Sequence, residues 1–344
     1  MTLALAFAVG FLVTTILILV MMRLAPRIGL VDRAGGHKLH HGSVPVVGGI
    51  AMFCAFFFAV LASELPLGQF RALFAGGALL VIVGVLDDFR HLPAWIRFAA
   101  QIGAALLMTL WGGVVLEDLG SLLGTDTLLL GELAVPFTVF SVVGVINAIN
   151  MMDGLDGLAG GLVAIVIALL AALAAMAGQV GAAAVLVALL AVVAGFLVFN
   201  IRRPGQPSAA VFMGDAGSMF LGFTLAWFLV ELSQSPADTI SPVTALWLLA
   251  LPLLDTVTLM VRRLARRRSP FRADREHLHH ALLARGLSQS TTVAVVLGAS
   301  ALLALAGALA QRAGVPPWIM FSGFAALFAG YFLAMRHLWT DQAP

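Results

Sequence analysis

Eleven apolar runs, separated by glycine, proline or charge, dominate this chain of 344 residues. They lie near residues 3–22, 46–63, 71–86, 94–112, 133–150, 158–177, 181–199, 216–232, 243–261, 291–311 and 317–335. A helix needs about 20 residues to cross the hydrocarbon core of a bilayer. Within that core every backbone polar group must find its partner inside the segment. Runs of this length and number point to one fold class: an all-α polytopic membrane protein of about eleven transmembrane helices, forming a single integral membrane domain over residues 1–344. Composition removes the alternatives. Apolar residues make up 61% and charged residues 10%, against about 45–50% and roughly 25% in soluble domains. A water-soluble globule could not bury that much apolar surface, and disordered chains do not carry it. The one cysteine, Cys54, cannot build a disulfide framework or a cysteine zinc site and reads as packing. Residues 3–22 read as a retained first helix, because no small-residue cleavage site precedes the basic segment that follows.

With eleven spans the two termini lie on opposite sides. Of the 19 lysines and arginines, all but Arg71 and Arg312 fall on one side. The positive-inside rule makes that side cytoplasmic, with the N-terminus outside (periplasmic) and the C-terminus cytoplasmic. All 8 histidines fall there as well. The rule concerns lysine and arginine, so that face uses imidazole or binds anions. The acids of the outer loops are scattered. Those of the inner face, Asp87, Asp88, Asp153, Asp156 and Asp215, each stand where a run meets a loop. The inner segments 23–45, 87–93, 150–157, 200–215 and 262–290 are therefore expected to form the active face. No internal repeat is visible.

Five segments carry candidate chemistry. Asp87-Asp88 ends the third run, and adjacent carboxylates at a membrane boundary are costly unless cations or a metal compensate them. A solvated loop start is the plain alternative. The chemical reading is a magnesium or phosphate site, since hard cations take carboxylate oxygens, with one acid serving as a base. Asn150, Asp153 and Asp156 recur every third residue, a spacing that shares one face if the helix continues. Helix capping would need only one of them. Asp215 lies in Gly-Asp-Ala-Gly-Ser at the start of the eighth run, as a helix cap or as a metal ligand beside a helix N-terminus that favours phosphate. Arg202 and Arg203 precede it. The basic loop from Arg262 to Arg285 holds His277, His279 and His280, of which His277 and His280 are helical neighbours while His279 points elsewhere. A zinc site would want His-Glu-x-x-His or cysteine; imidazoles among so many arginines read better as partners of phosphate or sugar. The first inner loop carries Lys38, the chain's one lysine, and suits a lipid phosphate. Asp255, inside the ninth run, is either functional or paired with Arg262 or Arg263. There is no Gly-x-x-x-x-Gly-Lys phosphate loop.

Together these segments resemble the polyprenyl-phosphate N-acetylhexosamine-1-phosphate transferases. The hallmarks are Asp87-Asp88, Asn147 to Gly157, Gly214 to Ser218 and His277 to His280, in that order. His-Leu-His-His preceded by Asp274-Arg275 is similar to the branch that uses UDP-GlcNAc (UDP-N-acetylglucosamine) to start O-antigen, common-antigen or teichoic-type polymers. The peptidoglycan branch, which transfers phospho-MurNAc-pentapeptide, typically has three consecutive histidines. The resemblance implies Mg2+, with Mn2+ as an alternative, held by Asp215 with Asn150 close by. It implies Asp87 as base or nucleophile with Asp88 as its partner, and His279 and His280 as the pair that shapes the site. Asp153 and Asp156 map to the nucleotide, and His277, Arg202, Arg275 and Lys38 are the further substrate-binding candidates. Relatives often carry a lysine soon after the aspartate pair; here Arg90 is expected in its place. The implied reaction takes GlcNAc-1-phosphate from UDP-GlcNAc to undecaprenyl phosphate, at the cytoplasmic face of a bacterial inner membrane. Membrane lipid is then a partner, nucleic acid is not, and a homodimer is allowed. A rival of another class is a secondary transporter for an anionic sugar or nucleotide, which predicts midplane polar groups, broken helices and a repeat.

Overall fold

The computed structural model describes residues 3–33, 43–63, 65, 67–124, 126–202, 206, 208–267 and 276–340. Every apolar run is helical: α1 (Leu3–Ile28), α2 (Gly48–Leu61), α3 (Arg71–Arg90), α4 (Ala94–Leu106, prolonged by a π-turn at Leu107–Trp111), α5 (Ala134–Met152), α6 (Leu158–Met176), α7 (Val180–Asn200), α8 (Gly214–Ser233), α9 (Pro242–Leu248) with α10 (Ala250–Ala265), α12 (Gln289–Arg312) and α13 (Pro317–Thr340), with the short α11 (Leu278–Ala284) between the last two loops. Among the described residues, 9 helices are long and apolar enough to cross a membrane, or up to 10 if the bent pair α9–α10 is one span.

Two runs differ from plain spans. The second is a helix of only 14 residues, below the length a bilayer asks for. The ninth is broken, with α9 and α10 inclined by 83°. Pro252 explains the break: it has no N–H to donate, and its ring crowds the carbonyl four residues back, at Leu248, where α9 ends. A small antiparallel pair also stands outside the all-α expectation. β1 (Val31–Arg33) and β2 (Ser43–Pro45) pair with Val31 opposite Pro45.

The chain divides into two compact units, residues 1–117 with 130–239, and residues 118–129 with 240–344. In the first, α8 is the central post, packed against α2, α3, α5 and α6, while α1 lies along α7. A helix that is apolar all round belongs inside, and 89% of the α8 window is buried, against 22% for α1. Phe220, Phe223, Trp227 and Phe228 of α8 are fully enclosed. Small residues let its neighbours approach, as in helix packing within lipid. A Cβ on Gly84 of α3 would stand 2.3 Å from Ala216 Cα and 2.4 Å from Ala216 N. The two backbones therefore touch at the residue after Asp215, and one turn before Asp87-Asp88. The first turn of α2 is tied to the same place: Gly48 N donates to Phe212 O (3.1 Å) and Gly49 N to Met213 O (3.0 Å). Those are N–H groups a helix start leaves unpaired.

In the second unit α12 packs on α9 and α10, and α13 on α10. Its small core joins Leu259, Ala281, Met335 and Trp339.

Gly84→Val should separate α3 from α8, costing about 1–3 kcal/mol as an overpacking change, with a lowered thermal transition in detergent. Gly144, whose Cβ position is open within 4 Å, serves as the control. Gly144→Ala should leave the transition unchanged or raise it, since Gly costs a helix roughly 0.5–1 kcal/mol relative to Ala. Equal behaviour of the two variants would contradict the backbone contact.

Candidate active site

The Gly84–Ala216 contact delivers three carboxylates to one place. Asp87 and Asp88 come from the last turn of α3, and Asp215 from the first turn of α8. α3 ends there because His91 takes a left-handed conformation (φ 50°) and its N–H returns to Asp87 O at 2.8 Å. Asp87 Oδ1 accepts the next free N–H, that of Leu92. Pro93 then starts α4, which brings Arg97 back over the acids. Arg97 Nη1 donates to Asp87 Oδ2 at 3.1 Å and to Asp215 Oδ2 at 3.0 Å, so one guanidinium nitrogen bridges two carboxylates. Asp215 Oδ1 accepts Asn150 Nδ2 at 2.6 Å, and the same amide donates to Ser218 Oγ at 2.8 Å. Asp88 Oδ1 accepts the Asp215 N–H at 3.1 Å, a start-of-helix bond. Its Oδ2 is buried with no hydrogen-bond partner among the described residues. Gly214 (φ 72°) permits this turn, as a Cβ there would lie 2.5 Å from that same Oδ2.

Below the acids, Gln101 Oε1 accepts from Asn147 Nδ2 at 2.7 Å and its Nε2 faces Met219 Sδ at 3.6 Å, bracing α4, α5 and α8. Beside them the 153–157 turn is clamped. Asn200 Oδ1 accepts the Gly157 N–H (2.9 Å), Asn200 Nδ2 donates to Val211 O (2.9 Å), and Asp156 Oδ2 accepts the Ala209 N–H (3.0 Å). Burial, then the charges of Asp215 and Asp156, push the Asp153 carboxyl up to about 7. Near neutral pH it is divided between its two protonation states.

Several expectations change here. Asn150, Asp153 and Asp156 do not share a helix face: α5 stops at Met152, Asp153 is non-helical (φ −80°, ψ 47°), and Gly157 turns the chain with φ 81°. Arg90 is exposed at the end of α3, and among the described residues Arg97 is the cation that pairs with Asp87 and Asp215. The motifs do not single out Arg97, although an arginine inside the fourth apolar run is the kind of intramembrane charge that marks a site. Ser218, the last residue of the Gly-Asp-Ala-Gly-Ser motif, is a partner of Asn150 that its spacing of 68 residues does not suggest. Arg202 Nε donates within its own loop, to Gln206 O at 3.1 Å. Lys38, Arg203 and Arg275 lie outside the described residues.

The histidine motif belongs to the second unit. His277 precedes α11 in extended conformation (φ −66°, ψ 156°), so the helical spacing does not apply to it. Its ring stacks on His279 (5.6 Å, 9°), and His279 lies 4.2 Å from His280. His279 is thus gathered with the other two rather than pointing away. Asp255 pairs with His277 at 2.7 Å, not with Arg262 or Arg263. Arg262 instead pairs with Glu276 at 2.8 Å.

Among the described residues no three His, Cys, Asp or Glu side chains form a ready-made metal cage. The donor set of the first unit nonetheless fits magnesium. That ion is usually held by one or two carboxylates, completed by water and substrate phosphate. Here one guanidinium bridges two carboxylates, Asp87 and Asp215, and beside them Asp88 Oδ2 is buried with no hydrogen-bond partner among the described residues.

The described residues form an all-α bundle with helices long and apolar enough to cross a membrane, and its first unit gathers three carboxylates, a guanidinium and an amide in one place. Residues 70–233 match the family described as glycosyl transferase family 4. The chain is 37% identical over 339 residues to the undecaprenyl-phosphate alpha-N-acetylglucosaminyl 1-phosphate transferase of Haemophilus influenzae, covering 97% of this chain and 94% of that one. It is 36% identical to the proteins of the same name from Yersinia pestis, over 330 residues (96% and 90%), and Escherichia coli strain K12, over 332 residues (96% and 90%). The chain belongs to glycosyl transferase family 4, in the branch of the undecaprenyl-phosphate GlcNAc-1-phosphate transferases.

Two predictions follow from this geometry. Arg97→Gln leaves two carboxylates without their shared cation and should cut turnover at least a hundredfold, with Arg97→Lys retaining part of it; equal activity of all three proteins would remove Arg97 from the site. The second concerns His279, where burial and the neighbouring His280 and His277 hold the imidazole down at about 3, against 6.5 in the open chain. The unfolded chain therefore takes up a proton between those values that the folded chain refuses, and stability is lost as pH falls through 6.5. Between pH 7 and 5 this one group accounts for about 2 kcal/mol. In thermal melts the drop from pH 7 to pH 5 should be smaller for His279→Asn than for the parent, and an identical drop would contradict it.

Proposed function

We propose that the protein transfers GlcNAc-1-phosphate from UDP-GlcNAc to undecaprenyl phosphate. The products are undecaprenyl-diphospho-GlcNAc and UMP, the first membrane step of a cell-surface polysaccharide. The observation that carries the reading is the Asp87–Arg97–Asp215 bridge backed by Asn150. It gathers acid and guanidinium groups where a dissolved nucleotide and a lipid phosphate can meet.

In the reaction an oxygen of the lipid phosphate attacks the sugar-linked phosphorus, and the bond to the UMP phosphate breaks. The difficulty is charge, since a phosphate must approach a diphosphate. Arg97 lies within reach of both carboxylates and can turn from them to phosphate oxygens. Asp215, with Asp87 or Asp88, would hold a magnesium ion, and Asn150 orients the Asp215 carboxylate. Bound magnesium, or manganese, would neutralise the diphosphate and stabilise the departing UMP. Both oxygens of Asp87 accept hydrogen bonds. This favours a carboxylate acting in place over one that swings out to form a phosphoryl-enzyme. Asp153 and Asp156 serve the nucleotide. His277, His279 and His280, with Arg202, Arg275 and Lys38, serve the phosphates.

The topology belongs to the same proposal. Eleven spans, counting the short α2 and the bent α9–α10, put the N-terminus in the periplasm. The C-terminus and the face bearing the acids are then in the cytoplasm, as the arginine bias asks. A green fluorescent protein fused after Pro344 should then fluoresce, and a dark fusion with an active alkaline phosphatase counterpart would invert the orientation.

The test of function uses purified protein with UDP-GlcNAc, undecaprenyl phosphate and magnesium. UMP should appear in step with radiolabel entering the lipid phase, and stop with chelator. Asp215→Asn and Asp87→Asn should lose at least a hundredfold while still inserting and folding. UDP-MurNAc-pentapeptide should not be used. Absence of UMP with every UDP-sugar, together with uptake into vesicles, would establish the transporter instead.

A further inference from the structure

Asp255 is fully buried in α10, inside an apolar helix, where a charge is tolerated only if donors surround it. Three do. Its Oδ2 lies 2.7 Å from His277 Nδ1. Its Oδ1 accepts the Leu278 N–H at 3.0 Å and the Tyr331 O–H at 2.7 Å. Tyr331 is the only tyrosine in the chain and comes from α13, far beyond the family match at residues 70–233. A second tie runs alongside. Trp339 of α13 donates its Nε1–H to Glu276 O at 2.9 Å, and Arg262 of α10 covers the Trp339 ring at 3.7 Å while pairing with Glu276. The residues immediately before and within the histidine motif are therefore held from both α10 and α13.

The geometry points to Asp255 as the positioning residue of the histidine motif, fixing the ring plane and tautomer of His277 with Tyr331 of the last helix as its brace. A carboxylate only accepts, so the proton of the pair sits on His277 Nδ1. The other ring nitrogen is thereby assigned its role toward a ligand, and the Leu278 bond fixes the start of α11, from which His279 and His280 project. An amide in place of Asp255 would change this without changing shape. Two of its three neighbours, the Leu278 N–H and the Tyr331 O–H, are donors and would claim the amide oxygen. The amide N–H2 would then face His277 and drive the ring to the opposite tautomer, as an Asp→Asn change does in a serine-protease triad.

This inference rests on the proposal that His277 takes part in the transfer, and the experiment separates the two. Turnover is measured for Asp255→Asn, His277→Gln, the double variant and Tyr331→Phe in the full-length protein. Alongside, the far-downfield proton resonance of a ring N–H bonded to carboxylate is followed by NMR of histidine-labelled protein. His277→Gln should lose at least thirtyfold, Asp255→Asn a comparable factor, and the double variant no more than either (coupled residues are non-additive). Tyr331→Phe should lose three- to tenfold, with no further loss when added to Asp255→Asn. The downfield resonance should vanish in Asp255→Asn and His277→Gln and persist in Tyr331→Phe. Full turnover in His277→Gln would defeat the reaction role of His277 and this inference with it. Multiplying losses, or a resonance that survives Asp255→Asn, would defeat the inference alone and leave Asp255 as an anchor. If Asp255→Asn does not fold, Tyr331→Phe decides, and unchanged turnover in it would overturn the brace.

Discussion

Three carboxylates cannot share a poorly solvated site without compensation, and the first unit is arranged to supply it. Like charges at such range raise one another's proton affinity unless cations or N–H donors intervene. Here the donors come from four directions: Arg97 from α4, Asn150 from α5, the Leu92 N–H after α3 and the Asp215 N–H at the start of α8. Two of them, the Asp215 N–H on Asp88 and the Arg97 bridge from Asp87 to Asp215, depend on the close approach of α3 and α8 at Gly84. A side chain at that position would move Asp87 and Asp88 away from Asp215 and leave Arg97 with one partner instead of two.

Much of this was legible in the sequence because hydropathy and charge are read residue by residue. The apolar runs became helices, and the acids at the ends of the third and eighth runs came together. What escaped was set by backbone geometry. The length of α2 and the 83° break before α10 depend on where caps and a proline fall within a run whose composition looks uniform. The face shared by Asn150, Asp153 and Asp156 is an extrapolation of helix past Met152, where Asp153 leaves the helical region and Gly157 then turns the chain. Arg97 hid in plain view: it counts toward the basic inner face, so its presence needed no other explanation. Its distance of ten residues from Asp87 means nothing until the Leu92–Pro93 turn folds α4 back. His277 and Asp255 are 22 apart in sequence and stand on different elements, α10 and the start of α11, so no single helical period joins them.

The two buried-acid clusters are compensated in opposite ways. Around Asp215 the compensating group is a guanidinium whose side chain remains 34% exposed, on a carboxylate 25% exposed. Such an ion pair is partly solvated and its members can exchange partners at modest cost. Around Asp255, exposure is 0% for the acid and 8% for its histidine, and two of the three donors are a peptide N–H and a phenol, which carry no charge to another site. Breaking that cluster would strand a buried carboxylate, at a cost of several kcal/mol. Exchangeable compensation suits a place where phosphate and a cation arrive and leave in every turnover. Fixed compensation suits a mount whose task is to keep imidazoles in one orientation throughout. On these grounds the acids of the first unit suit the proposed meeting with substrate charge, and Asp255 suits the proposed holding of the histidine motif.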